Sequence, residues 1–339
     1  MKGKPTIYDI AKKLNITAAT VSRALNNNPR ISQATKELVL KTAKDMNYEP
    51  NKLALALKKG KSNNIGVVVP YINRNFFSSV IRGIEEELFP KGYNVIISQT
   101  HESAEREVDI INNLLNAQVE GIIISLAKFT KNTKHFEQVL KKKIPLIFFD
   151  RYQEMGGVSS VTIDDYQGSY DATIHLIEQG CDRIAHLTVD PTLSIYKHRL
   201  EGYQQALIDH SIPFREELVV KLKSDMEEGK RVAENLMALE NPPNAIFSTS
   251  DYGALGAIKW LQTNGYKVPE DVCVVGFSNE PFTQFLDLSM SSVDQVPLEM
   301  GKMAAQVFLE QVNDGNNVKI EKKVVLSPSL IIRQSSTKK

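Results

Sequence analysis

The sequence predicts a small all-α helix-turn-helix head joined to an α/β core of two doubly wound parallel-sheet lobes. Three observations carry that prediction. Residues Thr6 to Asn26, TIYDIAKKLNITAATVSRALN, read as two short helices with a tight turn between them. From Ile65 onward, short apolar runs alternate with amphipathic stretches, and the alternation restarts after Asp150. The charge is also divided. Residues 1–61 hold 13 Lys and Arg against 4 Asp and Glu, a net +9, while the remainder holds 28 against 36, a net −8. A basic head on an acidic body implies a polyanionic partner for the head alone.

In the head, Thr6 and Asp9 form a helix-start signal ahead of Ile10, Ala11 and Leu14 at helical spacing. Asn15-Ile16 breaks the run, and Thr17 caps a second helix whose apolar face is Val21, Ala24 and Leu25. Its other face carries Ala18, Ala19, Ser22, Arg23 and Asn26. Small and hydrogen-bonding side chains on a second short helix suit the DNA major groove, where Arg can read guanine. Ser32 caps a third helix with Val39, Ala43 and Met46 on its inner stripe and Tyr48 after it. The following stretch, 50–64, places Leu53 and Leu57 four apart with Leu55 pointing elsewhere. Since isolated helices below about 12–15 residues are marginal in water, it reads as a linker that becomes helical on binding.

The core begins with IGVVVP as a buried strand, then a helix over 76–89, a strand over 93–98, a helix over 104–117, a strand over 121–125, a helix over 133–142 and the strand IPLIFFD. VTIDD then opens a second series: helix 165–179, strand 183–187, helix 198–209, helix 226–239, strand AIFSTS, helix 251–264 and strand 272–277. Such alternation implies βαβ units, with a ligand cleft at the carboxyl ends of the strands. Helix 298–313 and the strand-like 322–332 are expected to cross back between the halves.

Composition excludes several classes. The two cysteines, Cys181 and Cys273, lie far apart and make no metal-ligand spacing, so buried free thiols are expected. No His-x-x-x-His spacing occurs, the six histidines are scattered, and Gly156-Gly157 lacks the context of a dinucleotide fingerprint. Neither a metal nor a cofactor is expected, nor an enzyme, because no nucleophile-base set or cofactor loop is evident. No apolar run follows the first lysines, and none approaches the roughly 20 residues of a membrane span. The cytoplasm is the expected compartment.

The pieces TIYDIAKKLNIT, TVSRALN, ISQATKELV, YEPN and IGVVVP, followed by FFDR, IDD, SIYKHRLEGY, SDYGALGA and GFSNEPF, resemble the LacI/GalR family of bacterial transcriptional repressors over essentially the whole chain. The resemblance implies a periplasmic-binding-protein-like core, a homodimer on a near-palindromic operator, and a small-molecule effector that alters DNA affinity. Without leucine heptads near the SSTKK end, a dimer rather than a tetramer is expected. The implied domains are a DNA-binding head at 1–48, a hinge helix at 49–62 and an effector core at 63–335. Within that core one lobe takes about 63–162 and 293–321, the other about 163–292 and 322–335.

By the same resemblance, Ala18, Ala19 and Arg23 are base-reading, Thr17, Thr20, Ser22 and Asn26 contact the DNA backbone, and Thr6, Ile7 and Tyr8 lie near DNA. Leu57 becomes the minor-groove wedge and Lys58 a phosphate contact, although Leu55 and Ala56 stand where Arg and Ser are common. The implied effector residues are Tyr71, Phe76, Phe77, Ser125, Asp150, Arg151, Arg199, Ser250, Asp251, Ser278 and Asn279, with Arg199 the foremost. Arg74-Asn75 replaces a frequent Asn-Pro, Ser250 an Asn and Ser278 an Asp, with Asn279 a candidate substitute for that Asp. A sugar or oligosaccharide is the expected ligand. A purine nucleoside or sugar phosphate is the alternative, as is a solute-binding protein without a role in transcription.

Overall fold

A computed structural model of the chain describes residues 5–48, 62–189, 193–223, 225–313 and 321–338. The chain divides into two units, residues 1–62 and 63–339.

Among its described residues the first unit holds three helices, α1 (Ile7–Leu14), α2 (Ala18–Leu25) and α3 (Gln33–Asp45). Each starts at a hydroxyl cap. The Asp9 carboxylate accepts from the Thr6 backbone N–H at 2.8 Å, while Thr6 Oγ1 accepts from the Asp9 N–H at 3.4 Å, a reciprocal capping box. α1 ends at Asn15 in the left-handed conformation, φ 51°, which turns the chain into α2. Ile10, Ala11, Val21, Ala24, Val39 and Ala43 are buried together where the three helices meet. Full burial of Ile10 or Val21 contributes roughly 1.5–3 kcal/mol each. The hinge segment, including Leu57 and Lys58, lies outside the described residues.

The second unit contains two six-stranded sheets. The first is built from β1 (Asn64–Val69), β2 (Asn94–Gln99), β3 (Gly121–Ile124), β4 (Leu146–Phe149), β5 (Ser159–Ile163) and β11 (Lys323–Leu326), in the order β11-β5-β4-β3-β1-β2. The second is built from β6 (Ile184–Thr188), β7 (Val219–Lys221), β8 (Ala245–Ser248), β9 (Cys273–Phe277), β10 (Ser291–Asp294) and β12 (Ser329–Ile331), in the order β12-β10-β9-β8-β6-β7. All pairings are parallel except β10 with β12. The central strands are apolar on both faces because helices cover both.

Those helices are α4 (Asn75–Leu88), α5 (Ala104–Asn116), α6 (Lys134–Lys141), α7 (Asp165–Glu178), α8 (Ser194–Asp209), α9 (Met226–Met237), α10 (Asp251–Thr263) and α11 (Pro297–Asn313). α4 and α11 cross with glycine against backbone. A Cβ on Gly83 would fall 2.2 Å from the Leu298 carbonyl, and one on Gly301 would fall 2.1 Å from that of Val80. Only glycine permits that approach. Among the described residues no helix is long and apolar enough to cross a membrane.

Three expectations need correction. The stretch 322–332 is not one strand of the second lobe, and residues 293 and 294 are not in the first. Instead β10 closes the second sheet, α11 packs on the first lobe, and β11 pairs with β5 before the chain returns as β12. Pro328 separates β11 from β12; a residue without an N–H cannot continue a ladder, so one apolar run serves two sheets. Helix α8 also starts at Ser194, four residues ahead of the expected 198.

Candidate functional site

On the head, α2 turns its cap and polar face outward. Thr17 Oγ1 accepts from the Thr20 N–H at 3.1 Å. The Asn26 amide folds back to donate to the Ser22 carbonyl at 2.7 Å. Ala19 and Arg23 are exposed and Ala18 is half-buried against the helix core. Tyr8 on α1 is 71 % exposed, an aromatic with no packing role to explain it. Thr6 is occupied with Asp9 and Ile7 packs on the core, so these two position α1 at their contact with a partner. Arg23 makes no ion pair among the described residues, so its full fork of donors faces outward.

The core carries a cleft of about 390 Å³ between the lobes, at the carboxyl ends of both sheets. Tyr71, Phe76, Phe77, Asp150 and Arg151 line it from the first lobe, and Arg199, Ser250, Asp251 and Ser278 from the second. The phenyl rings of Phe76 and Phe77 meet edge to face at 5.1 Å, and Phe77 packs on Phe149, so both are largely core with one edge in the cleft. Ser125 and Asn279 do not line it. The Ser125 hydroxyl sits behind the wall and donates to Asp150 at 3.1 Å. The Asn279 amide donates to Asp294 at 2.8 Å and accepts from Arg333 at 2.9 Å, which saturates it on the far side. Asn279 is therefore no substitute for the absent aspartate. Ser278 itself, at φ 119°, is committed to Gln295 at 2.9 Å.

The charged groups form linked pairs. The Arg199 guanidinium donates to Asp165 through Nε at 2.8 Å and lies 2.7 Å from the same carboxylate through Nη2. It also donates to the Thr249 carbonyl at 3.3 Å, and its face rests 3.6 Å from the centre of the Phe277 ring. Arg199 is 3 % exposed, so only its remaining N–H groups can serve a ligand. Burial pushes the Asp165 carboxyl up to about 6 against the pull of that guanidinium. Beneath it, His186 stacks on Tyr203; burial and the Arg199 cation press its pKa down to about 3, so the ring is neutral. In the other wall Arg151 grips Glu102 at 2.8 and 2.9 Å. Burial raises Asp150, opposed by Arg151 and Arg199.

Asp251 is a further perturbed acid of the cleft. It accepts from Ser292 at 2.6 Å and from the Glu280 N–H at 2.7 Å, yet burial pushes its carboxyl up to about 7. Glu280 beside it is also raised by burial, with Arg74 working against that rise. Arg74 reaches from the first lobe to lie over the Tyr252 ring of the second, 4.6 Å from its centre. Sequence reasoning named Arg74 only as a departure from the common pattern. It did not find Tyr196, Tyr252, Glu280 or Gln295, though Tyr196 and Tyr252 flank Arg199 and Asp251 on the same helical turns. Among the described residues no group of three or more His, Cys, Asp or Glu could hold a metal ion.

A groove-sized helix with a free arginine and a two-lobed core with a polar cleft define a DNA-binding regulator controlled by a small molecule. Comparison with known proteins places it further. Residues 6–51 match the model of bacterial regulatory proteins of the lacI family, and residues 62–333 that of periplasmic binding proteins and the sugar-binding domain of the LacI family. The NTD biosynthesis operon regulator NtdR of Bacillus subtilis (strain 168) is 31 % identical, over 98 % of this chain and 100 % of its own. The transcriptional regulator CelR in complex with cellobiose superposes with a TM-score of 0.74 at 25 % identity, covering 98 % of this chain and 99 % of that one. The lac repressor dimer bound to operator and an anti-inducer shares the fold, with a TM-score of 0.86 at 22 % identity over 98 % and 99 % of the two chains. The chain belongs to the LacI family and is a DNA-binding transcriptional repressor with an effector domain of the sugar-binding type.

Proposed function

We propose that this repressor binds a near-palindromic operator as a homodimer in the cytoplasm and that a carbohydrate in the interlobe cleft controls it. The carrying observation is the cleft itself. Arg199 and Asp251, both buried and held by neighbours, border it beside Tyr71, Phe76 and Tyr196. Fixed polar groups among aromatic edges match the alternating hydroxyls and C–H faces of a sugar ring. Asp150, Arg151, Ser250 and Ser278 are assigned as further effector contacts, and Arg23 with Ala18 and Ala19 as the readers of bases. Ligand-dependent movement of the lobes shifts the hinge segments, and because Leu57 wedges are needed in pairs, a small displacement releases DNA. The coupling is reciprocal, so operator must alter effector affinity by the same factor.

A sugar phosphate is the second reading, favoured by Arg74 and Lys223, wall cations that form no ion pair among the described residues. A thermal-shift screen of the purified chain against sugars, oligosaccharides, sugar phosphates and nucleosides separates the readings. Ligand at about 100 times its dissociation constant adds about 2.7 kcal/mol, a shift of a few degrees. Neutral sugars that shift the melting point support the first reading and phosphate-only hits the second; silence across the panel removes both. Operator binding is tested apart, by its loss of roughly 10³–10⁵ in affinity between about 50 and 200 mM salt.

A further inference from the structure

The only two cysteines of the 339 residues meet in the fold. Cys181 follows the left-handed Gly180 that ends α7, its N–H returning to the Leu176 carbonyl at 3.1 Å. Cys273 opens β9. β8 lies between β9 and β6, the strand that Cys181 precedes, and both cysteines converge on one carbonyl just ahead of β8. Cys181 Sγ donates to the Asn244 oxygen at 3.5 Å, and the Cys273 backbone N–H donates to the same oxygen at 3.1 Å. The Cys273 Sγ donates in turn to the Pro269 carbonyl at 3.5 Å, and the two thiols are close enough to shift each other's titration. This places them at the amino ends of the strands, at the opposite end of the second sheet from the effector cleft.

We propose that Cys181 and Cys273 are a redox modification site, a dithiol that a hydroperoxide converts to a reversible intrachain disulfide. The division of labour follows from their surroundings. The neighbouring Cys273 thiol lowers the Cys181 thiol, and the Lys338 cation adds to this, so Cys181 is the nucleophile. Cys273, raised by the neighbouring Cys181 and by burial, keeps its proton. In the first step the Cys181 thiolate attacks one peroxide oxygen. An S–O bond forms, the O–O bond breaks, and the departing hydroxide, or alkoxide from an organic hydroperoxide, takes the proton released by Cys181 to become water or the alcohol. In the second step the Cys273 sulfur attacks Cys181 sulfur. The S–S bond forms, the S–O bond breaks, and hydroxide leaves with the Cys273 proton as water. Two thiols are oxidised by two electrons and one hydroperoxide is reduced.

Access is controlled by the segment 334–338. Both cysteines are buried, and the Ser336 carbonyl sits 3.8 Å from Cys273 Sγ. The segment is anchored by the Ser335 hydroxyl on the Val274 carbonyl, by Ser336 against His175 and by the Lys338 N–H on Gln179. Gln334 and Thr337 are exposed, so the cover opens from a chain segment with one wet face. The oxidation is therefore slower than that of a surface thiol, but specific to this pair.

The test uses the full chain, purified reduced, treated with hydrogen peroxide, quenched, alkylated in denaturant and mapped without reductant. The expected result is a protein lighter by two hydrogen atoms, with the peptides of Cys181 and Cys273 joined and released by dithiothreitol. In Cys273→Ser the link is lost, and Cys181 is trapped as a sulfenic acid by a cyclic 1,3-diketone. Recovery of both alkylated thiols, under peroxide that oxidises methionine in the same sample, overturns the proposal. So does sulfinic acid at either cysteine without the link, or a link only between two chains. If the serine variant fails to fold, the map of the unaltered protein decides alone.

Discussion

On the second helix of the head the one charged side chain, Arg23, makes no ion pair among the described residues, whereas in the cleft the buried charged groups are held by neighbours. Arg23 and Tyr8 project from the head without ion pairs. Arg199 is tied to Asp165, Arg151 to Glu102, and Asp251 to Ser292. The difference follows from the partners. DNA brings its own regular array of phosphates, so a surface meeting it needs unspent donors on a rigid support. A sugar has weak dipoles and no charge, so its site must be ordered in advance to avoid the entropy of arranging long side chains on binding.

The comparison makes its largest prediction at Asp165. Asp165→Ala leaves Arg199 buried without its anion, which costs on the order of 3–5 kcal/mol. Urea unfolding of the core should report that loss. An effect under about 1 kcal/mol, typical of exposed pairs, would mean that the pairing is not the support described. By contrast Arg23→Ala should leave stability within about 0.5 kcal/mol while weakening discrimination at one base pair by about 1–3 kcal/mol. Competition between operator variants checks it, and uniform weakening across sequences would demote Arg23 to a phosphate contact. Leu57→Ala, chosen from the family resemblance, should reduce operator affinity and leave effector affinity unchanged; an equal loss of both removes the wedge assignment.

Next in size is a pH effect confined to the cleft. Asp251 has its carboxyl raised from 3.8 to about 7 by burial, so the folded chain binds a proton that the unfolded chain releases. Between those values the native state holds more protons, and stability falls as pH rises. The slope reaches at most about 1.4 kcal/mol per pH unit and vanishes above the folded pKa. His186, pressed from 6.5 to about 3, acts with the opposite sign and loses stability as pH falls, so the wild-type curve mixes both. The Asp251→Asn variant keeps His186 and isolates the Asp251 part: its stability should not share the decline between about pH 4 and pH 7. Parallel curves would show that Asp251 is ionised throughout.

The head was the more legible region because its chemistry is local. Thr6 with Asp9, and Thr17 with Thr20, are three residues apart, and helical spacing alone brings them together. The lobes were legible as alternation, since buried parallel strands are apolar on both faces. Two strands of the second sheet were not. Ser291–Asp294 buries serines, and Val219–Lys221 is three residues long, so neither carries an apolar signature. The cleft was read in part. Arg199 and Asp251 were named, but the partners that define their roles, Asp165 and Ser292, lie 34 and 41 residues away. Asn279 was misplaced for the same reason, because Arg333 holds it from 54 residues on. The meeting of Cys181 with Cys273 likewise depends on the sheet order, with β8 set between β6 and β9.

The smallest predicted effect probes the rigid support that free donors require. Thr17 caps α2, and the first turn of that helix has no acidic residue to compensate its dipole if the cap is lost. Thr17→Ala should cost about 0.5–2 kcal/mol of head stability and weaken the operator through fraying of the turn that carries Ala18 and Ala19. The hydroxyl is also assigned to a phosphate, so the alanine variant alone conflates two roles. Thr17→Asn separates them, because asparagine caps as well as threonine but presents a different group to DNA. If the asparagine variant recovers head stability and operator affinity together, Thr17 acts by holding the helix. If it recovers stability alone, the hydroxyl belongs with the free donors of the face. Effector affinity should stay unchanged in both variants, since the cleft draws its order from side-chain pairs within the core.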